Sequence, residues 1–287
     1  MKNEGLNKIT VIIPILNEEK NISSCIKSVK RSGIKKIIVV DGGSSDKSIK
    51  IVRKNKIKYF IAKNKGLGFQ RALGVKNSKS KYIAMIDADH RPSKNVFLKL
   101  LKDLKDYNYV GVQPFLTQNK KELNYFQKSY QALNNINVNK RGPKDVIGTP
   151  SLWKAKVLKS NNYNIKMTAG SDDTELCYRL KKKGLICGGS SVYVYNSYRQ
   201  NFSQYLKKFL WYGKGDAQLI MIYPNILLSL IKHQLFNYPI KYSVISLAKF
   251  EIFPIPFFIF TGYIRFTGMI IEFIRKFLNI KEKIYST

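Results

Sequence analysis

Three short clusters hold seven of the 18 acidic residues in this 287-residue chain. They are Asp41 and Asp46 around a Gly-Gly-Ser-Ser turn, Asp87 and Asp89 after an apolar run, and Asp172, Asp173 and Glu175 after Gly170-Ser171. Two aspartates at i and i+2 at the end of a strand can bind a hard divalent cation, whose other ligands are waters and phosphate oxygens. Such an ion would neutralise a departing diphosphate. For any one pair, the ordinary preference of Asp for turns is a sufficient explanation; the three clusters together favour chemistry.

The third cluster stands where a helix is predicted to begin. The pattern predicts a helix from Asp172 to Lys183, ended by Gly184. An ionised carboxylate at its start is a candidate general base for an alcohol nucleophile. A capping role beside Ser171 stays open, because helix N-termini prefer acidic residues. Two adjacent aspartates are, however, more than a cap requires.

Alternating strands and helices are expected to position these clusters. Strands are predicted at Ile9–Ile13, Ile37–Val40, Tyr59–Ala62, Tyr82–Ile86 and Tyr109–Gln113, with helical patterns at Ile22–Val29, Ala72–Val75 and Val96–Leu104. This order predicts an α/β fold with a mostly parallel sheet covered by helices on both faces. Such sheets bind ligands beyond the carboxyl ends of their strands, where two of the acidic clusters stand.

The second half of the chain is less regular. Helices are predicted at Glu122–Asn135 and Phe202–Tyr212, a strand at Leu185–Tyr195, and a loop or strand at Val146–Trp153. From Leu219 the composition becomes rich in Ile, Leu, Phe and Pro. We therefore expect a catalytic domain over 1–216, with halves 1–114 and 115–216, followed by an apolar helical segment over 217–287.

The C-terminal segment has two apolar stretches, Leu219–Ile231 and Ile252–Ile264, the second continuing past Arg265 to Ile271. A spanning helix needs about 20 apolar residues. The flanking cations are Lys232, Lys241, Lys249, Arg275, Lys276, Lys281 and Lys283. Apolar helices edged by cations are typical of proteins that lie on an anionic membrane surface. A single spanning helix and simple packing against the catalytic domain are the alternatives.

The net charge is +33, from 51 Lys and Arg against 18 Asp and Glu. Such a balance suggests a polyanionic partner, although a general bias toward Lys, Ile and Asn would also raise it. Three cysteines without a C-x-x-C pair fit a reducing, cytoplasmic compartment. The polar start, Met1 to Lys8, predicts no secretory signal. A non-enzymatic nucleic-acid-binding protein is disfavoured, because acidic clusters would repel phosphates.

A glycine motif raises one further alternative. Gly66-Leu67-Gly68 resembles the start of a dinucleotide fingerprint. Arg71 occupies the place of the third glycine, however, and Lys63-Asn64-Lys65 separates the motif from the preceding strand. A dehydrogenase is therefore disfavoured.

These motifs, in their order, resemble a family 2 glycosyltransferase of the GT-A fold over about residues 8 to 216. The matching segments are Val11–Glu19, Val39–Asp46, Asn64–Gly68, Asp87–Asp89, Gly148–Trp153, Ser171–Leu180 and the basic segment that contains Arg199 and Lys207–Gly215. Two positions depart from the family pattern, since Asp172 stands where Glu is usual and Glu175 where Asp is usual.

The resemblance implies a donor site. Pro14, Glu18 and Asp41 would line the nucleotide pocket, and Lys65 would contact the donor. Asp89 would bind Mn²⁺ or Mg²⁺, with Asp87 near the ribose and the metal.

It also implies an acceptor site. Gly148 and Thr149 would lie on the acceptor side, and Arg199 and Trp211 near the diphosphate or a lipid phosphate. Asp173 would be the base, with Asp172 as the alternative.

The implied activity is transfer of a sugar, with inversion, from a nucleotide-sugar donor to an acceptor hydroxyl or lipid phosphate. The acceptor would be a glycan or a lipid-linked sugar at the cytoplasmic face of a membrane, in cell-surface polysaccharide or lipid-linked glycan synthesis. A metal-dependent nucleotidyltransferase is the alternative enzyme, and it would release pyrophosphate in place of a nucleoside diphosphate. The nucleotide, the sugar, the acceptor and the oligomeric state stay open.

Overall fold

The computed structural model describes residues 5–118, 122–197 and 199–280, in which nine strands form one sheet. The strands are β1 (Ile9–Ile15), β2 (Lys36–Asp41), β3 (Lys58–Ile61), β4 (Tyr82–Met85), β5 (His90–Pro92), β6 (Gly111–Thr117), β7 (Gly142–Lys144), β8 (Ser151–Lys154) and β9 (Cys187–Asn196). Their order across the sheet is β3-β2-β1-β4-β8-β6-β9-β5, with β7 paired to β9.

Helices cover the sheet and follow it. Those of the first half are α1 (Ile22–Arg31), α2 (Ser48–Lys54), α3 (Leu67–Asn77) and α4 (Val96–Asp106). Then come α5 (Tyr125–Asn137), α6 (Ala155–Ser160), α7 (Asp172–Lys182), α8 (Phe202–Ile222), α9 (Leu227–Lys232), α10 (Tyr242–Leu247) and α11 (Ile255–Phe277). A π-helical stretch, His233–Lys241, joins α9 to α10.

The first four strands form a parallel half-sheet, which confirms the predicted α/β fold. β1 pairs in parallel with β2 and β4, and β2 with β3. The residues of β1 are buried on both faces: Val11, Ile13 and Ile15 pack in a core with α1, and Ile12 packs in a second core with α3. Runs of β-branched residues buried on both sides are typical of parallel strands.

The other half of the sheet is mixed. β8 is antiparallel to β4 and β6, whereas β6 and β9 are parallel. The strand predicted at Tyr109–Gln113 begins two residues later and continues to Thr117. It passes through Pro114 because the β6–β9 register shifts between Gln113 and Phe115, and an irregular position tolerates a residue without an N–H.

Two other elements also differ from their predicted boundaries, for local reasons. The helix predicted from Glu122 begins at Tyr125, because the Asn124 side chain accepts a hydrogen bond from Gln127 N and the Gln127 side chain accepts one from Asn124 N, which forms a capping box. The segment Val146–Trp153 resolves into a loop followed by β8.

The helix predicted over Phe202–Tyr212 runs ten residues further, to Ile222, so the boundary expected near 216 lies inside α8. Two glycines explain the difference. A Cβ on Gly213 would lie 2.0 Å from Arg265 O, and one on Gly215 would lie 1.9 Å from Gly170 O. These glycines therefore serve close packing and do not end the helix.

The C-terminal segment packs on α8 as a set of helices. The stretch Leu219–Ile231 divides at Tyr223, since Pro224 starts a new turn. By length and composition, α11 could cross a membrane, but 39% of its most apolar window is buried inside the protein. Lys281 and Lys283 lie outside the described residues.

Candidate active site

A cavity of about 420 Å³ opens at the carboxyl ends of β1 and β4. Ten of the residues singled out in the sequence line it: Pro14, Glu18, Asp87, Asp89, Gly148, Thr149, Asp172, Asp173, Arg199 and Trp211. The loops after β1 and β4 meet there because parallel strands end at the same edge of a sheet. Asp41 and Lys65 are not among its lining residues, although their neighbours Gly42 and Gly66 are.

Asp41 and Asp46 hold backbone turns together. The Asp41 carboxylate accepts hydrogen bonds from Gly43 N and Ser44 N, at 3.1 Å each. Asp46 accepts from Glu19 N at 2.9 Å and so ties the loop after β1 to the loop after β2. The first acidic cluster thus shapes the rim of the cavity, and Lys65 lies exposed beside it.

Glu18 brings a third carboxyl group to this rim. Asn21 Nδ2 donates to Glu18 Oε2 at 2.8 Å. Burial raises the pKa of Glu18 to about 7, and the charges of Asp89 and Asp87 add to the effect. A cation between these carboxylates would reverse this shift by favouring their ionised forms.

Asp87, Asp89 and His90 form a group that could hold a metal ion, with ligand atoms within 4.8 Å of one another. Asp89 Oδ1 is buried and accepts no hydrogen bond from the described residues. An orphaned buried carboxylate oxygen of this kind fits a hard divalent cation such as Mn²⁺ or Mg²⁺.

His90 is placed to orient this group. Its Nδ1 accepts a hydrogen bond from Asp87 N at 3.0 Å, so the proton of the neutral ring lies on Nε2. That nitrogen is 3.8 Å from Asp89 Oδ1. Because a protonated nitrogen has no free lone pair for a metal, the expected ligands of the ion are the carboxylates of Asp87 and Asp89.

Arg71 of α3 joins the second and third acidic clusters. Its Nη1 donates to both oxygens of Asp172, at 2.9 and 2.8 Å, and its Nη2 donates to Asp87 Oδ1 at 3.3 Å. The guanidinium also lies over the Tyr163 ring. From the sequence alone, Arg71 was informative only because it occupies the place of the third glycine of a dinucleotide fingerprint. Arg71 and the apolar Val75 are four residues apart and so lie on the same face of a helix. This spacing would have indicated that Arg71 is buried and needs acidic partners.

The two aspartates at the start of α7 have different surroundings. Asp172 is buried against Arg71, whereas Asp173 Oδ1 accepts only from Thr174 N, at 2.9 Å, in the described structure. Asp173 Oδ2 would lie 2.7 Å from a Cβ on Gly148. Glycine at 148 therefore leaves room for this carboxylate beside the loop predicted to face the acceptor.

Burial raises the pKa of both aspartates, to about 7 for Asp172, and Arg71 opposes the shift in each. With Asp173 as the base that the resemblance implies, we expect turnover to rise with pH through a range above the usual carboxyl pKa, because burial raises the pKa of Asp173 and a base acts only when ionised. The measurement is kcat from about pH 5 to about pH 9 at saturating metal and donor. A flat profile below neutrality would contradict this assignment.

Two further polar atoms of the cavity lack partners among the described residues. They are Thr149 Oγ1 and Asn196 Oδ1. Thr149 belongs to the predicted acceptor segment, whereas Asn196 was missed by the sequence analysis. Asn196 pairs with His90 across β5 and β9, which places it beside the metal group. Unpaired buried polar atoms around a cavity are groups to which a polar ligand, an ion or water can bind.

Besides Arg71, four cationic side chains line the cavity: Lys144, Arg199, Lys208 and Arg265. Lys208 Nζ donates to Tyr130 Oη at 2.6 Å. Burial and the charge of Arg199 together lower the pKa of Lys208 to about 7. The charges of Asp87 and Asp89 oppose this shift, so Lys208 lies within electrostatic range of the metal group.

Glu175, the last member of the third cluster, lies away from the cavity. It is fully buried, pairs with Arg179 at 2.8 Å and accepts from Tyr223 Oη at 3.0 Å. Its role is therefore to fix α7 against the end of α8.

Residues 10–171 match the family model described as "Glycosyl transferase family 2". The match covers more than half of the chain. The chain belongs to glycosyl transferase family 2. The matched residues include the first two acidic clusters and end just before Asp172.

Relatives in sequence agree with this family. A glycosyltransferase of Rickettsia conorii is 38% identical over 109 residues, which are 36% of this chain and 18% of that protein. Glycosyltransferase GlyA of Streptococcus pneumoniae is 31% identical over 108 residues, 35% of this chain and 16% of that protein. The glycosyltransferase thus matches less than a fifth of the length of these relatives.

The fold is similar to that of a solved GT-A enzyme. Glucosyl-3-phosphoglycerate synthase from Mycobacterium tuberculosis, in complex with Mn²⁺, UDP and glucosyl-3-phosphoglycerate, superposes with a TM-score of 0.56 at 16% identity. The superposition covers 74% of this glycosyltransferase and 78% of that chain. It confirms the GT-A fold.

Proposed function

We propose that this glycosyltransferase moves a sugar from a nucleoside-diphosphate sugar to an acceptor hydroxyl, with inversion and with Asp173 as the base. The observation that carries the proposal is the contrast between the two aspartates of α7. Arg71 holds both oxygens of Asp172, whereas Asp173 Oδ2 faces the space beside Gly148. Asp173 is thus the carboxylate that can reach an acceptor.

In the reaction, Asp173 accepts the proton of the acceptor hydroxyl as its oxygen attacks the anomeric carbon. The anomeric carbon–oxygen bond to the diphosphate breaks in the same displacement, so the configuration inverts. Thr149 Oγ1, which has no hydrogen-bond partner among the described residues, lies in the cavity and can orient the acceptor through a hydrogen bond.

Asp87 and Asp89 would hold Mn²⁺ or Mg²⁺, the ions found with UDP in structures of the Mycobacterium enzyme. When bound, the ion neutralises charge on the leaving diphosphate. Asn196 Oδ1 is a further oxygen that can turn toward it.

Arg199 and Lys208 line the same cavity, and the charges of Asp87 and Asp89 act on Lys208. A phosphate beside Lys208 favours its charged form and so restores the charge that burial disfavours.

The proposed activity is tested by incubating the full chain with a panel of nucleotide-sugars, a membrane extract as acceptor, and Mn²⁺, Mg²⁺ or EDTA. We expect release of one nucleoside diphosphate with either metal and none with EDTA. Release of pyrophosphate would instead identify a nucleotidyltransferase. No turnover of any donor with either metal would overturn the proposal.

Asp89→Asn is expected to weaken Mn²⁺ binding at least about 10-fold, because it removes the charge of the orphaned oxygen. Calorimetric titration of Mn²⁺ in the presence of the released nucleotide measures this affinity. Asp103→Asn is the matched control, since this α4 residue lies outside the cavity. Equal Mn²⁺ affinity in Asp89→Asn and wild type would exclude Asp89 as a ligand.

We further propose that the C-terminal helices place the enzyme on the cytoplasmic surface of an anionic membrane, where the acceptor is a lipid-linked sugar or lipid phosphate. Large apolar side chains are exposed along these helices and the turns between them: Leu228, Phe236, Ile240, Val244, Leu247, Phe250, Ile252, Phe253, Ile270, Ile271, Ile274 and Phe277. Lys232, Lys241, Lys249 and Lys276 accompany them. An apolar surface edged by cations fits an anionic bilayer.

The packing of α11 supports an interfacial position over a spanning one. Arg265, halfway along α11, lines the catalytic cavity and pairs with Asp216 of α8. A Cβ on Gly268 would lie 2.4 Å from Leu210 O, so the two helices are in backbone contact. One face of α11 thus belongs to the catalytic unit, and the opposite face remains for the membrane.

Phe250→Glu is expected to reduce sedimentation with vesicles that contain anionic lipid, because Phe250 is 95% exposed at the turn between α10 and α11. High salt should reduce wild-type binding, since each Lys near the surface contributes about 1 kcal/mol. Ile186→Glu, at an exposed apolar residue just before β9, is the matched control. Equal loss in both variants, or binding that does not require anionic lipid, would contradict this placement.

A further inference from the structure

A fully buried carboxylate, Asp216 of α8, joins the C-terminal helices to the turn before the catalytic aspartates. It accepts hydrogen bonds from Ser171 Oγ and Gln234 Nε2, at 2.7 Å each. Arg265 donates to it from Nε and, at 2.7 Å, from Nη2. One carboxylate therefore connects α8, the π-helical stretch and α11 to the residue that precedes Asp172.

Ser171 stands in a backbone conformation that a serine adopts only under constraint. Its φ of 65° and ψ of 10° are left-handed, and α7 begins at the next residue. The surrounding contacts have to hold a non-glycine residue in this region. The direction in which α7 starts, and with it the placement of Asp173, depends on that constraint.

Helix α8 also holds the residues just before this turn. Gln218 Oε1 accepts from Thr168 N at 2.9 Å and from Ala169 N at 3.3 Å. A Cβ on Gly215 would lie 1.9 Å from Gly170 O, so the backbones of α8 and the turn are in direct contact. The whole segment 168–171 therefore rests on α8.

Stability alone is a weak reason for a buried ion pair. Desolvation of the two charges offsets much of their attraction, and apolar residues of similar volume often stabilise a protein as well. The Asp216–Arg265 pair does something that apolar residues would not do: it presents a fixed acceptor to the Ser171 hydroxyl.

We propose that Ser171, Asp216 and Arg265 are positioning residues for the catalytic base. Arg265 fixes the Asp216 carboxylate, Asp216 holds the Ser171 hydroxyl, and Ser171 sets the start of α7 that carries Asp173. The C-terminal helices are thus part of the catalytic unit as well as a surface for the membrane. This inference rests on the proposed function, because it takes Asp173 as the base.

The test compares Ser171→Ala, Asp216→Leu, which leaves no acceptor for the Ser171 hydroxyl, and the double variant with wild type, all as full chains. We expect kcat to fall about 10- to 100-fold in each single variant, because small displacements of a catalytic group have effects of this size. The Kd for the released nucleoside diphosphate with Mn²⁺ should stay unchanged. The double variant should be no slower than the slower single variant, because both changes remove the same hydrogen bond.

Hydrogen exchange provides a readout that does not need turnover. Amides of 168–174 should exchange faster in both single variants, whereas those of 87–90 should not. Ser246→Ala is the matched control, since this buried hydroxyl donates to Glu251 O within the C-terminal helices, away from the turn. It should leave kcat and exchange at 168–174 unchanged.

The outcomes separate the two proposals. Normal kcat in both single variants of an active enzyme overturns the positioning role alone, and so do losses that multiply in the double variant. A rise in KM or in nucleotide Kd without a fall in kcat also overturns it. A wild type that turns over no donor overturns the proposed function and the inference with it, even where exchange shows that the turn is held.

Discussion

Asp173→Asn is expected to lower kcat by about 10²- to 10⁴-fold, the usual contribution of a general base. Asparagine keeps the shape of the side chain and its hydrogen bond from Thr174 N, but it cannot accept a proton from the acceptor. The Kd for the donor nucleotide should stay within a few-fold of the wild-type value, since Asp173 Oδ2 lies beside Gly148, in the loop predicted to face the acceptor. Single-turnover kinetics with saturating acceptor measures the chemical step directly.

Two further variants decide what the result means. Asp145→Asn changes a largely exposed aspartate that pairs with Lys181, and it should leave turnover unchanged. Asp172→Asn should lower turnover by disturbing the contact with Arg71, without removing the base. If Asp173→Asn keeps its activity while Asp172→Asn loses it, the base is Asp172 and the proposed assignment is wrong.

The parallel half of the fold was predictable because its signals are local. Continuous apolar strands such as Ile9–Ile13 and Tyr82–Ile86, separated by helical patterns, leave few arrangements other than a covered parallel sheet. The second half was less predictable, because β8 inserts between β4 and β6 from far along the chain. Nothing in a four-residue strand such as Ser151–Lys154 specifies its neighbours.

The sequence also located the acidic side of the cavity better than its other walls. Asp87, Asp89 and Asp173 stand at strand or helix ends, where short-range patterns reveal them. Arg71 and Arg265 lie inside helices, and their importance comes from partners 101 and 49 residues away, respectively. Such long-range pairs have no local pattern, so only the folded structure shows which cation meets which carboxylate.

The length of α8 has the same kind of cause. The helix was predicted to end at Tyr212, whereas it continues through Gly213 and Gly215, which allow α8 to contact α11 and the 168–171 segment. A glycine inside a helix permits either a terminus or a close approach, and the choice depends on the neighbouring backbone.

Arg71→Met is expected to lower the free energy of unfolding by about 3–5 kcal/mol, the usual effect of removing one partner of a buried ion pair. The side chains of Arg71 and Asp172 are 4% and 2% exposed, so water cannot replace the lost partner. Methionine keeps much of the packing against Tyr163, and the loss therefore reports mainly on the uncompensated carboxylate. Urea unfolding at about pH 8, followed by circular dichroism, measures this loss of stability.

Two variants separate charge from packing in this experiment. Adding Asp172→Asn to Arg71→Met should restore part of the stability, because it removes the buried charge that the first change leaves without a partner. Lys181→Met is the matched control, since the Lys181–Asp145 pair is largely exposed and should contribute little. A double variant no more stable than Arg71→Met would show that Arg71 stabilises the fold through packing. In that case the charge of Arg71 would not be needed to hold the clusters of Asp87 and Asp172 together, and the packing of the helices would place them beside the cavity.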